Sequence, residues 1–175
     1  MRVLECTLAI GDLDAFVARI GEIGDRHETT IQAFDARYVA DRTHLERSVE
    51  LADRAIARGE NVARDRAVEI LLYAAGRRQI DRALEMGVSE GESEAVVLVT
   101  DVSTGNEGVR DDAETATLEE LAELDAVVAT GPTLERRNEA TLCAFFEITD
   151  AEREATDASL AALVHERVAL LNVEK

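Results

Sequence analysis

The stretch from Asn61 to Gly91, NVARDRAVEILLYAAGRRQIDRALEMGVSEG, constrains the fold of this chain most. Its centre, Ala67 to Ala75, holds a single charged residue, Glu69. The last two turns of a helix drawn through it are apolar all round, which marks a buried helix that other elements must surround. Arginines bracket the run. Between Arg54 and Arg82 stand seven of them (Arg54, Arg58, Arg64, Arg66, Arg77, Arg78, Arg82) against four acids (Glu60, Asp65, Glu69, Asp81), a local charge of +3. The whole chain carries −18, so everything outside this window sums to −21.

That contrast gives the composition its meaning. The basic residues are eighteen arginines and one lysine, Lys175, against 37 acids. Scarce lysine with surplus Asp and Glu fits a surface bathed in the high-salt cytosol of a haloarchaeon. At about 1 M salt the Debye length is only about 3 Å, so the repulsion within such a chain is screened beyond contact distance. Overall acidity then says little about partners, and a basic island says more. The 175 residues, 46% apolar, are expected to form one domain over 1–175 with a substantial core. No segment approaches the roughly 18–20 apolar residues of a membrane span, and the N-terminus lacks the pattern of a secretory signal. The expectation is a soluble, cytoplasmic protein. Cys6 and Cys143 have no motif spacing and are read as small buried apolar residues.

Along the chain, Val3 to Ile10 alternates as a half-buried strand does. Asp12 is placed to cap a helix reaching Gly24, with an apolar stripe at Leu13, Phe16, Val17, Ile20 and Ile23. Thr30 to Phe34 reads as a short strand. Thr43 with Glu46 forms a capping box for a helix that Gly59 ends. Asn61 is expected to cap the next helix, Val62 to Ala75. Gly76 interrupts it, and Arg77 to Met86 is expected to continue as helix to Gly87. Ala95 to Thr100 is β-branched and apolar without alternation, as in a strand covered on both faces. Asp101 to Glu114 reads as a mobile polar loop. Thr117 with Glu120 is a second capping box, Ala126 to Thr130 a last strand, and Pro132 suits a first helical turn. Thr149 with Glu152 is a third box, opening a C-terminal helix with Leu160, Leu163, Val164, Val168 and Leu171 on one face. The expected class is α+β: a small mixed sheet of three to four strands against several helices, one of them central and buried.

Catalytic equipment is not apparent in the sequence. Neither G-x-x-x-x-G-K-[ST] nor G-x-G-x-x-G occurs, and the segment from Ser103 to Gly108 reads as a solvated loop. His27, His44 and His165 lie in no metal-ligand spacing and read as structural or solvated. Paired acids are too common to single out any one pair. No cofactor and no metal is expected, and an interaction role becomes the default.

Four blocks together resemble a known family: IQAFDA from Ile31 to Ala36, HLE from His44 to Glu46, RGENVARDRAVEILLYAAGRRQIDRALEMGVSEGE from Arg58 to Glu92, and HERVALLNVEK from His165 to Lys175. The chain resembles the small regulatory subunit of the KEOPS complex, the archaeal relatives of PRPK-binding protein, over nearly its whole length. The resemblance implies a non-catalytic subunit of the machinery that installs threonylcarbamoyladenosine in tRNA. It implies binding to a kinase-like ATPase at one end of a linear complex, and engagement of the tRNA 3′ CCA end.

Within that frame, Arg64, Arg77, Arg78 and Arg82 are the candidate tRNA surface, because guanidinium groups grip phosphate and stack on exposed bases. Asn61 and Gln79 are candidates for hydrogen bonds to bases or sugars. The alternative is that these arginines pair with Asp65, Glu69 and Asp81. Tyr73 reads as core. For the ATPase, one candidate face is Val164, Val168, Leu171 and Val173, unless that face closes the domain's own core. A second is Leu84 with Met86. The rival reading is a stand-alone protein-interaction module without RNA binding.

Overall fold

Among the described residues four antiparallel strands form one sheet: β1 (Arg2–Ile10), β2 (Thr29–Asp35), β3 (Gly91–Asp101) and β4 (Val127–Thr130), in the order β2-β3-β1-β4. This computed structural model describes residues 1–102, 107–136 and 138–171, with the backbone alone for 107–109. The class is α+β, as expected, while the sheet is antiparallel throughout where a mixed one was expected. Contacts gather into two compact units, Met1–Asp35 with Val88–Thr133, and Ala36–Gly87 with Leu134–Lys175.

The first unit is the sheet with two helices, α1 (Leu13–His27) and α5 (Glu107–Ala122). β1-α1-β2 and β3-α5-β4 are two crossovers whose strands interleave, the split βαβ arrangement of ferredoxin-like folds. Alternation decides one face. Cys6, Leu8 and Ile10 of β1 join Ile31, Ala33, Ala95, Val97 and Val99 and meet Phe16, Ile20, Ile23 and Leu121 of the helices. Phe34, Val96 and Leu98 on the opposite face are also fully buried, so β3 is covered on both sides, as its unbroken apolar run foretold. Asp12 caps α1 by accepting from the Ala15 N–H at 2.9 Å, but Val17 of the expected stripe is exposed. A Cβ on Gly24 would come within 2.7 Å of the Thr29 carbonyl oxygen, so α1 needs glycine where it meets β2.

α5 corrects two expectations. Helix already covers 107–114, where a loop was expected, and residues 103–106 lie outside the described residues. Thr117 therefore sits inside α5, where its hydroxyl donates to the Ala113 carbonyl at 2.7 Å and lies 3.1 Å from the Thr29 hydroxyl. Glu120 points to Arg26 and His27 of α1 and closes no capping box. The acid-rich start was legible as helix through the preference of acids for helix N-termini; polarity alone misled.

The second unit is helical: α2 (Arg42–Arg58), α3 (Arg66–Ala75), α4 (Ile80–Ala83), α6 (Glu139–Phe146), α7 (Asp150–Glu154) and α8 (Leu160–Leu170). α3 packs on α2, α4 and α8, and every residue from Glu69 to Ala75 is buried, so the apolar run is the buried helix it appeared to be. Leu142, Phe146, Ile148, Leu160, Ala161, Leu163 and Val164 form a second cluster. Asp41 caps α2 by accepting from His44 N–H at 2.7 Å. Thr43, expected there, is already helical. Only the third expected box stands in part: Thr149 caps α7 at 3.2 Å, but α7 stops at Glu154 and Ser159 caps α8 afresh.

Candidate nucleic-acid and partner surfaces

The candidate residues all belong to the helical unit, and α3 organises them. Its first turn is capped by Asp65, which accepts from Val68 N–H at 3.1 Å. Asn61, the expected cap, lies five residues before the first helical residue, Arg66, and its amide donates to the Ala63 carbonyl at 2.7 Å. The buried Glu69 carboxylate accepts the N–H groups of Val62 and Ala63 at 3.0 and 2.8 Å. Charge-assisted bonds of this kind are about twice as strong as neutral ones. They hold the loop after α2 in one shape, with Arg64 exposed at its tip. Glu69 thus serves backbone and not the arginines. Arg66 grips Asp53 of α2 through two parallel bonds of 2.7 and 2.9 Å and is structural.

The far end of α3 is closed tightly. Gly76 adopts φ 59°, its N–H donates to Tyr73 O and that of Arg77 to Leu72 O, both at 3.0 Å. This closure spends the N–H of Arg77, so helix cannot run on. Arg77 to Gln79 leave helical conformation, and the expected helix to Met86 shrinks to α4 and a 3-10 turn, Leu84–Met86. The next carbonyl, Ala74 O, is met by His44 Nε2 at 2.8 Å, while His44 Nδ1 accepts from Ala40 N–H at 3.2 Å. These two contacts fix the neutral tautomer with its proton on Nε2. Burial pushes the imidazole from its ordinary 6.5 down to about 4, against the opposing pull of the Ala74 bond.

Arg77 and Arg78 were expected to face RNA, and the structure gives both internal partners. The Arg77 guanidinium donates to Phe145 O at 2.6 Å, approaches Glu147 at 3.4 Å and lies 5.6 Å from the Phe145 ring centroid. It closes the C-terminal end of α6, where carbonyls lack helical partners. Arg78 reaches Leu171 O at 3.4 Å, with its Nε buried. Gln79 and Arg82 are exposed, and Arg82 makes only a long contact to Glu85 at 3.4 Å. A shallow groove of about 130 Å³ lies between Arg77, Arg82, Glu85 and Phe145. Tyr73 is core.

The candidate partner residues divide more sharply. Val164 and Val168 have no exposed surface and Leu171 is 8% exposed; this face packs within the helical unit, so of its two readings, docking face or closure of the core, it is core. Met86 is likewise fully buried, because the 3-10 turn folds it inward toward α3. Val173 lies outside the described residues. Leu84 remains, 56% exposed, with Ile80 one turn earlier at 42%; together they form an apolar ridge over α4 and the start of the 3-10 turn that follows it.

Sequence reading missed one feature. Among the described residues, Arg47, Arg54 and Arg58 of α2 are exposed and, like Arg64, meet no hydrogen-bonding or ionic partner. Their spacing on one helical face was the available signal. His165 bonds Asp41 at 2.9 Å and His27 bonds Glu120 at 2.8 Å. Among the described residues no group of three His, Cys, Asp or Glu is placed to hold a metal ion.

A family model described as kinase binding protein CGI-121 matches residues 15–172. The chain belongs to this family. The match runs through pieces of both compact units and includes every described candidate residue above. Membership in CGI-121 makes a kinase the supported partner and places the chain in a family of binding proteins. No curated protein matches the chain.

Proposed function

We propose that this CGI-121 protein is the non-catalytic regulatory subunit of a KEOPS complex, in the cytoplasm of a salt-adapted archaeon. In this reading it binds the kinase-like ATPase subunit and recruits tRNA through its 3′ CCA end for threonylcarbamoyladenosine formation. The match to a kinase-binding family over residues 15–172 carries the reading. The ridge of Ile80 and Leu84 offers the ATPase an exposed apolar helix face. Arg64, Gln79 and Arg82 are the exposed members of the original tRNA set, and all three keep donors toward solvent. In molar salt, counterion release adds little to binding. Stacking and hydrogen bonds must then carry more of the affinity, at about 1–3 kcal/mol per stacked base.

The test has two arms. Co-expressed with the kinase-like ATPase, the protein is expected to co-purify with it in molar KCl. Intact tRNA is expected to bind more tightly than tRNA trimmed of its 3′ CCA. Equal binding of the two removes the recruiting role and leaves an interaction module; failure to co-purify removes the partner assignment.

A further inference from the structure

In a chain of net charge −18, a described arginine without a partner is the exception. Arg2, Arg19, Arg26, Arg42, Arg66, Arg77, Arg82, Arg110, Arg153 and Arg167 each have a carboxylate within ion-pair distance. Arg78 reaches a carbonyl, and Arg37 and Arg136 are also engaged. The four left over are Arg47, Arg54, Arg58 and Arg64, and three of them lie on one helix.

Positions 47, 54 and 58 differ by seven and four. At 3.6 residues per turn they fall within about 40° of one another around α2, in a file about 16 Å long. Arg54 and Arg58, at i and i+4, repel each other. The acid best placed to relieve the file, Glu50, sits three residues from Arg47 and four from Arg54, and forms an ion pair with neither. Meanwhile acids on the other flank of α2 are used: Glu46 by Arg42 and Asp53 by Arg66. The only apolar side chain within the file is Leu51, which is half-buried. Arg47 borders a groove of about 310 Å³ shared with Ala158, Ala162, His165, Glu166 and Ala169, whose apolar wall is alanine alone, without the large apolar side chains that form the core of a protein interface. Arg54 and Arg58 stand outside that groove, and a row of unpaired guanidinium groups fits a phosphate backbone, whose contacts carry no sequence information.

We infer that the α2 file of Arg47, Arg54 and Arg58 binds the phosphate backbone of double-stranded RNA, as a contact separate from the one that holds a single-stranded 3′ end. This rests on the tRNA-recruiting reading above. It assigns the base-paired stem leading to that end to α2.

The test compares the full chain with its Arg47→Ala/Arg54→Ala/Arg58→Ala variant, over KCl concentrations at which the circular dichroism of both is unchanged. Three probes are used: intact tRNA, tRNA trimmed of its CCA, and a single-stranded oligonucleotide ending in CCA. The variant is expected to bind intact and trimmed tRNA more weakly by one common factor, about tenfold at the lowest salt. Its plot of log affinity against log salt should flatten by about two to three units. The oligonucleotide should bind both proteins alike. If intact tRNA binds wild type and variant with the same affinity and slope, while trimming still weakens binding, the α2 contact is overturned and the recruiting role stands. If the variant loses the oligonucleotide as much as the tRNA, the file holds single strand and the duplex assignment fails. If the wild type binds no RNA probe, the recruiting role fails and this contact with it.

Discussion

The C-terminal end of α3 and the exposed face of α2 are both rich in arginine, and they use it in opposite ways. Past α3, Arg77 and Arg78 turn back onto carbonyls of Phe145 and Leu171. Along α2, Arg47, Arg54 and Arg58 find nothing among the described residues to hold. The difference lies in what surrounds each set. Helix ends leave carbonyls unsatisfied, and an arginine beside one becomes part of the fold. Arg47 and Arg54 lie in the body of α2, away from such carbonyls, and at its end, beside Arg58, the N–H groups of Gly59 and Glu60 already take the carbonyls of Ile56 and Ala55, so these arginines meet a carboxylate, a ligand or water. Charge count alone cannot separate the two cases.

The comparison can be broken most forcefully at the residues that sequence reading placed on the surface. Val164→Asp puts an unpaired carboxylate into core, at a cost of about 4 kcal/mol or more, and should leave little folded protein by circular dichroism. Leu84→Asp should melt like wild type yet fail to co-purify with the kinase-like ATPase. Normal folding of Val164→Asp would restore α8 as a docking face.

Acid probes the closed end of α3 next. His44 has a folded pKa of about 4 against an ordinary 6.5, so the unfolded chain binds this proton first. Stability contributed by the neutral ring is complete above about pH 6.5 and falls as pH drops toward 4. The loss reaches on the order of 3 kcal/mol. Denaturant midpoints measured across that range should decline, and the His44→Gln variant should decline less steeply. Glu69→Ala strands the N–H groups of Val62 and Ala63 and should cost about 2–3 kcal/mol in chemical denaturation. Smaller still, Arg77→Ala should cost about 1–2 kcal/mol, since its guanidinium is partly exposed. Arg54→Ala should stay within about 0.5 kcal/mol of wild type. Equal costs for Arg77→Ala and Arg54→Ala in thermal melts would erase the distinction between the two sets.

Much of the fold was legible because its signals are local. β1, β2 and β3 announced themselves by alternation or by β-branched runs, Asp12 by its position before an apolar stripe, and α3 by the stretch Ala67 to Ala75, apolar but for Glu69. What failed depended on competition between neighbouring caps and on partners distant in sequence. Thr43 and Thr117 sit in capping-box spacing, but Asp41 lies two residues earlier with a carboxylate, and α5 begins well before Thr117. Gly76 was visible as an interruption; that it takes φ 59° and consumes the Arg77 N–H was not. The candidate site was half legible. The arginine island was real, but sequence could not show that Phe145, 68 residues beyond Arg77, would claim that arginine. The apolar stripe of α8 was read correctly as a stripe, and only packing could assign it to core.

The helical unit is assembled from two stretches, Ala36–Gly87 and Leu134–Lys175, with the sheet unit's second stretch, Val88–Thr133, encoded between them. During synthesis the chain delivers all four strands, α1 and α5 by Thr133. At that moment α2 and α3 have already left the ribosome without α8, which packs against both. The buried helix α3 therefore waits with part of its surface uncovered for the last segment to arrive. Contacts between segments so far apart in sequence form slowly, which makes the interval before α8 emerges the nascent chain's most aggregation-prone stage.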